Sequence, residues 1–400
     1  RWEEVSMLLL VIIAFVIVPS CSYSVTDEIE VYPGDAVLLS EALPGGGVED
    51  VAGYVEQRRI TALIQKQFRR DLEPIVEDIR RLPPERRAQF DARAEELAGR
   101  VDAMDPIPME GFVAILPMTE LEAEIFRLQA AVWRAQGKPE VRLWDQHRWD
   151  PLLPNDEPGA EASPASIDVA MMRNEYRADV FNVTSASERD LRLRLRITGL
   201  PGAPNPDWIT VHSVEHVGTR WFDSVAAALP RVEPAGEWYP LDVPSGMTRQ
   251  VWIAINRPAF DAGTREGAVE VRAATGFSAE VPFSLKFYPL RFPEQTSLRV
   301  GGWSDTDRER SYGITPQNRM QIIAHLREHF VNAPWATGNT LKGGHFGDDG
   351  TVTAPPDTQS FDDWVAMWPD AQMYMIFMNV GGEFDGEEMG TEAFRGKVGA

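Results

Sequence analysis

Four residues in the last quarter of the chain have side chains suited to holding a polar ring compound: Trp303, Asn332, Trp335 and Asn379. An indole offers a flat apolar face to the C–H face of a pyranose, and a carboxamide offers a donor and an acceptor to a hydroxyl. Each falls where a strand is expected to end, in company with Ser304, Asp305 and Glu383. The alternative is that these residues close the rim of the fold. His345 lies in the loop 338–356 over the same face, where Asp348-Asp349-Gly350 reads as a hairpin turn in preference to a calcium site. His325 and His329 are spaced i, i+4, as a helical metal pair would be. The intervening Leu-Arg-Glu lacks the glutamate of an HExxH site, and His329 falls at the expected helix end. A solvated or capping pair is therefore expected, with no metal and no cofactor.

The elements that must position these side chains alternate between strand and helix. Residues 298–303 read as a buried strand ending in two glycines and an aromatic. Residues 315–329 form an amphipathic helix with Met320, Ile323 and Leu326 inward, and 330–335 a second strand. A helix opens at Phe361, and 373–380 (MYMIFMNV) is apolar throughout, as a parallel strand covered on both faces should be. This order begins a (β/α)8 barrel, whose sites form at the C-terminal strand ends. A full barrel takes about 250 residues, and the stretch from Ser297 to Ala400 is less than half of that. Only the first part of a barrel, 293–400, is expected.

Upstream, Leu191, Leu193, Leu195 and Ile197 alternate with Arg192, Arg194 and Arg196, the period of a half-buried strand. Similar runs at 167–172, 176–184, 209–217, 250–256, 268–273 and 279–287 predict an antiparallel β-sandwich over 141–292. Before it, 22–140 holds a short strand pair at 28–39 and a helical hairpin insert. Ile60, Leu63, Ile64, Phe68, Leu72, Ile75 and Ile79 recur at helical spacing, with a kink expected at Pro74. Leu82-Pro83-Pro84-Glu85 restarts the helix, and Phe90, Ala94, Leu97, Val101 and Met104 make a coiled-coil-like seam. Thr119-Glu120-Leu121-Glu122 caps a third helix that ends at Gly137. The insert reads either as a partner-binding spacer or as a decoration packed on its own protein.

Sixty-one acidic residues against 39 basic ones leave a net charge of −22, which repels phosphate backbones, so no nucleic-acid partner is expected. Cys21 is the only cysteine, which excludes an intrachain disulfide. It follows a twelve-residue apolar run, Met7 to Val18, too short to cross a bilayer but long enough for an export signal. Val18-Pro19-Ser20-Cys21 resembles a bacterial lipobox, so 1–21 is expected to be a signal segment. Lipid on Cys21 would then hold the protein to the membrane of a bacterial envelope.

Several segments resemble one known family. They are Leu143-Trp144-Asp145 through Pro151, Arg173-Asn174-Glu175, Phe181-Asn182-Val183-Thr184, Pro244-Ser245-Gly246 with Gln250-Val251-Trp252-Ile253, and 258–267 (PAFDAGTREG). Together they resemble the β-sandwich that precedes the catalytic barrel in family 123 glycoside hydrolases and their relatives. The likeness runs from about Val141 to the C-terminus and departs at Arg265, where the family often has an aromatic. It implies a carbohydrate substrate containing (N-acetyl)hexosamine and an adjacent Asp-Glu pair on a later strand. There the acid would protonate the glycosidic oxygen while the substrate's acetamido group attacks. Asp27-Glu28 and Asp156-Glu157 fall in the wrong segments, so no catalytic residue is assigned and the carboxylates are expected beyond residue 400. The rival expectation is a non-catalytic envelope protein that binds glycan or a partner.

Overall fold

A computed structural model describes residues 48–395 except 109, 160, 220–222, 257, 303, 310–312, 342–343, 348–350, 378–382, 385–386 and 393. The segment with Cys21, the strand pair at 28–39, Trp303, Asp348-Asp349-Gly350 and Asn379 lie outside the described residues. Among the described residues no helix is long and apolar enough to cross a membrane.

Helices α1 (Val48–Arg80), α2 (Pro84–Asp102) and α3 (Glu120–Ala135) open the described chain. Their apolar stripes meet in one core, in which Ile64, Phe68, Ile75, Ile79, Leu97, Val101, Ile125 and Val132 are all fully buried. The insert is therefore a three-helix unit and not a hairpin, because α3 fills the groove that two helices would leave open to water. Helix α1 runs on through Pro74 without being divided there. The α3 cap forms as read: Thr119 Oγ1 accepts from Glu122 N at 3.2 Å. The Glu122 carboxyl, however, reaches back to Met118 N, one residue before the cap.

Glu122 and Asp71 bring two carboxyls into this core, 0% and 5% exposed. Gln67 Nε2 donates to Asp71 Oδ1 at 2.8 Å. Asp71 Oδ2 and Glu122 Oε1 are buried with no hydrogen-bond partner among the described residues, and the charge of Asp71 acts on Glu122, so the pair favours keeping a proton. Burial raises Asp71 to about 7, and burial together with the Asp71 charge pushes Glu122 well above the usual carboxylate range.

Ten strands follow: β1 (Val141–Trp144), β2 (Ile167–Arg173), β3 (Tyr176–Ser185), β4 (Leu191–Thr198), β5 (Ile209–Gly218), β6 (Ser224–Ala228), β7 (Tyr239–Val243), β8 (Thr248–Asn256), β9 (Gly263–Ala273) and β10 (Ser278–Arg291). They form two five-stranded sheets, ordered β1-β3-β8-β5-β6 and β2-β10-β9-β4-β7. The two sheets stack as a sandwich with two departures from the expectation: β1, β6 and β7 add to the strands read from the sequence, and β2 and β10 pair in parallel. Between the sheets Phe181, Val183, Leu193, Leu195, Val251, Ile253, Val271 and Phe283 are fully buried. Outside, Arg196 pairs with Glu270 at 3.0 Å and lies over Trp238 at 4.6 Å. Arg265 sits over Phe260 and Phe287 at 4.9 and 5.1 Å, so the cation covers both aromatic faces.

The bundle docks where Gly246 turns with φ +71; a Cβ there would lie 1.7 Å from Phe126 O of α3. Beyond the sandwich come α4 (Arg319–Glu328), β11 (Trp335–Thr337), a hairpin of β12 (His345–Phe346) and β13 (Val352–Ala354), α5 (Gln359–Met367) and β14 (Met375–Phe377). Strands β11 and β14 pair in parallel, with Ile323 of α4 and Trp364 of α5 buried against them. This is a strand–helix unit of barrel type, not a complete barrel. Residues 298–302 are not a strand; Val300 O only accepts from Asn332 N and Ala333 N, both at 3.0 Å. Met320, expected inward, is 53% exposed.

The buried carboxyl pair gives the bundle a signed pH dependence. The folded chain retains protons that the unfolded chain releases above about pH 4, so stability falls as pH rises from there to about 7. Asp71→Asn keeps the acceptor for Gln67 and supplies a donor to Glu122. It is expected to raise bundle stability at pH 8 by about 1–3 kcal/mol and to flatten the slope between pH 4 and 7. Denaturant unfolding followed by helical circular dichroism across this range checks it. Equal slopes in parent and variant would contradict the retained proton.

Candidate functional site

The parallel pair β11 and β14 defines two ends. Thr337 and Phe377 close the C-terminal end, where barrel-type sites form. Asn332 precedes β11 by three residues and Trp335 is its first residue, so both lie at the opposite end. This corrects the expected placement. The apolar run 330–335 begins as the cap of α4. Phe330 N donates to Arg327 O and Val331 N to Leu326 O, both at 3.0 Å, with Phe330 at φ +67. That is a Schellman closure built on a residue other than glycine. Pro334, which has no N–H, then stands just before the strand.

Asn332 is engaged within the chain. Its Oδ1 accepts from Val300 N at 2.8 Å, and its Nδ2 donates to Thr296 Oγ1 and Leu298 O at 3.1 and 3.0 Å. Both amide hydrogens are thereby taken. Gly301 serves the same contact, since a Cβ there would lie 1.8 Å from Ala333 O. The missing Cβ at Gly301 thus lets another stretch of backbone approach closely. Asn332 also lines a recess of about 420 Å³ with Glu294, Arg327, Asp370 and Gln372, where Arg327 and Asp370 are ion-paired.

At the C-terminal end the structure assembles Asp307, Thr306, Thr337 and Thr340, which the sequence did not single out, beside Ser304 and Asp305, which it did. Asp307 Oδ2 accepts from Thr337 N at 3.0 Å and from the hydroxyls of Thr337 and Thr340, each at 2.7 Å. Asp307 Oδ1 is buried and, like the buried Ser304 Oγ on the same loop, has no hydrogen-bond partner among the described residues. Thr306 Oγ1, fully buried, accepts from the indole N–H groups of Trp364 and Trp368 at 3.1 and 3.2 Å, which fastens the loop to α5. Asp305, flagged from the sequence, is occupied by Arg308 at 3.0 Å. Asp307 Oδ1 and Ser304 Oγ are thus a carboxylate oxygen and a hydroxyl, both buried, that the described residues leave without a partner. The signal that could have exposed the site is the run Ser304-Asp305-Thr306-Asp307, one residue after the glycine pair.

The histidine pair caps α4: His329 Nδ1 bonds His325 O at 2.8 Å, and the His329 ring stacks on Tyr176 at 4.4 Å. Burial, followed by the His329 charge, lowers His325. Among the described residues no group of three His, Cys, Asp or Glu could hold a metal ion. A second recess, about 620 Å³ between α2 and α3, is lined by residues already paired, Arg93 with Glu124 and Arg127 with Glu120.

No family model matches the chain, and no curated protein matches it. Among solved structures, a family 123 glycoside hydrolase from Clostridium perfringens, studied for glycolipid glycan hydrolysis, is 13% identical with a TM-score of 0.37. The match covers 52% of this chain and 41% of that enzyme, so the chain spans less than half of its length. The N-terminal domain of PorA is 10% identical over 37% of this chain and 98% of its own, with a TM-score of 0.20. The periplasmic chaperone SfaE is 11% identical over 34% of this chain and 62% of its own, with a TM-score of 0.19. At these scores the likenesses carry no argument about what this chain does.

Proposed function

We propose that this chain belongs to a glycoside hydrolase-like protein of a bacterial envelope, acting on glycans that contain (N-acetyl)hexosamine, with the strand-end loop 304–307 contributing to sugar binding. The observation that supports this reading most is Asp307. It is fixed to Thr337 of β11 and to Thr340 by three donors on one oxygen, while the other oxygen is buried without a partner among the described residues at the end where barrel sites form. A carboxylate oxygen in that position accepts from a sugar hydroxyl, and a neighbouring Ser304 hydroxyl can donate or accept. The sandwich leading directly into a parallel strand–helix unit fits the same reading, as do the sequence segments shared with family 123.

Cleavage of a glycoside requires an acid aligned with the scissile oxygen. On the loop itself Asp305 is tied to Arg308, which leaves Asp307 as the carboxylate of this proposed site. Catalytic carboxylates elsewhere on the barrel-type unit are part of the proposal. Envelope attachment through Cys21 is part of the proposal and rests on the apolar run and its cysteine. Incorporation of labelled palmitate, lost in Cys21→Ala, is its test.

Calorimetric titration of the 400-residue chain with N-acetylglucosamine and N-acetylgalactosamine tests the site. Saturable binding is expected with at least one of them, weakened about tenfold by Asp307→Asn, the order of one charged hydrogen bond. That variant keeps the oxygen facing Thr337 and turns the unpaired acceptor into a donor. Full affinity in Asp307→Asn, with unchanged melting, would remove this loop from the site.

A further inference from the structure

The sandwich carries an exposed aromatic that its own packing does not require. Trp149 is 72% exposed, the most exposed large hydrophobic side chain described. It stands on a turn that is built, not loose. Gln146 Nε2 donates to Pro151 O at 2.9 Å, Asp150 N to His147 O at 2.9 Å, and Asp145 N to Ser163 O at 3.0 Å. Asn182 Nδ2, from the sheet below, donates to Gln146 Oε1 at 3.4 Å. Trp149 meets Trp252 edge to face, centroids 5.7 Å apart and planes at 69°, and the Arg148 guanidinium lies over the Trp149 ring. Trp252 lies on the outer surface of the sheet, opposite Val180 of β3 and His212 of β5.

The surroundings of the indole are charged. Arg148 lies 5.9 Å from the Trp149 ring centroid and 3.8 Å from Asp179, beyond hydrogen-bond distance. Asp179 Oδ2 accepts from Asp168 N at 2.9 Å, and Asp145 is close enough for its charge to act on Asp179. We propose that this turn is a glycan-binding platform, with Trp149 stacking one pyranose ring and Arg148, Asp145 and Asp179 bonding its hydroxyls.

Three features commit the platform to a neutral carbohydrate. One apolar face ringed by donors and acceptors matches a sugar ring, which is apolar on one face and polar around its edge. An apolar peptide would need a continuous greasy surface, and charged groups border this one. Two carboxylates beside the indole, on a chain of net charge −22, repel uronates and sulfated sugars. The turn is also pre-organised, which lowers the ordering cost of binding. The platform lies in the sandwich, apart from the strand-end loop, and does not depend on what that loop binds.

Titration in the Asp307→Asn background isolates the platform from the strand-end site. The probes are tetraacetylchitotetraose, cellotetraose and xylotetraose, with a heparin tetrasaccharide as the anionic comparison. At least one neutral probe is expected to bind and the heparin fragment not to. Trp149→Ala is expected to weaken that binding about tenfold or more and Trp149→Phe to retain most of it, as for loss and conservation of one aromatic contact. Thermal unfolding of both variants should match the parent. Absence of binding by every neutral probe, unchanged affinity in Trp149→Ala, or preference for the heparin fragment would each overturn the proposal.

Discussion

The sheet β1-β3-β8-β5-β6 buries both of its faces in different company, and the rest of the chain is arranged around that fact. Alternation sends Phe181, Val183, Val251, Ile253 and Val211 inward, where each contributes on the order of 1.5–3 kcal/mol of burial. The opposite set, Tyr176, Val180, Asn182, Thr184, Thr248, Gln250 and Trp252, points away from that core. Apart from Val180 these residues are polar or aromatic, as on an outer face in water, yet most are covered. Thr184 joins Thr248 at 2.6 Å and accepts from Trp144 Nε1 at 2.9 Å, while Gln250 Nε2 donates to Asn182 Oδ1 at 3.1 Å. A buried polar row of this kind is tolerated because its members satisfy one another.

Two neighbours therefore seat on one surface. At one end the helical bundle closes against the turn at Gly246, where only the missing Cβ lets α3 approach. At the other end Tyr176 lies under His329 and Phe330, and Phe330 packs on Phe292 of the connecting segment at 4.7 Å. Asn174, at φ +61, holds that segment by donating Nδ2 to Phe292 O at 2.9 Å. The strand–helix unit is thus anchored at its N-terminal end, by Asn332 and Gly301 as well as by this seam. Its C-terminal end carries Asp307, bonded to Thr337 and Thr340.

The sandwich was legible because period-two patterns such as Leu-Arg-Leu-Arg-Leu-Arg-Ile survive any context that keeps one face buried. The α3 cap was legible from Thr119 and Glu122 because its chemistry is local. The reading failed where apolar runs had two uses. Phe330 and Val331 look like strand residues but close a helix, and no glycine marks the left-handed position. That shift moved Asn332 and Trp335 from one end of β11 to the other. The parallel pairing of β2 with β10 was hidden because register between distant strands leaves no local pattern. Asp307 was missed for the same reason, since its partners Thr337 and Thr340 are thirty and more residues away.

If the two-faced sheet is the organiser, it should also be the last part to open. Hydrogen–deuterium exchange of the whole chain, read by peptide mass, tests this directly. The amides of 180–183, 211–214 and 251–255 are expected to exchange slowest, with the bundle and the strand–helix unit opening at lower free energy while these strands stay protected. Exchange from β3 and β8 as fast as from α1–α3 or from β11 and β14 would contradict the claim that both neighbours depend on this sheet.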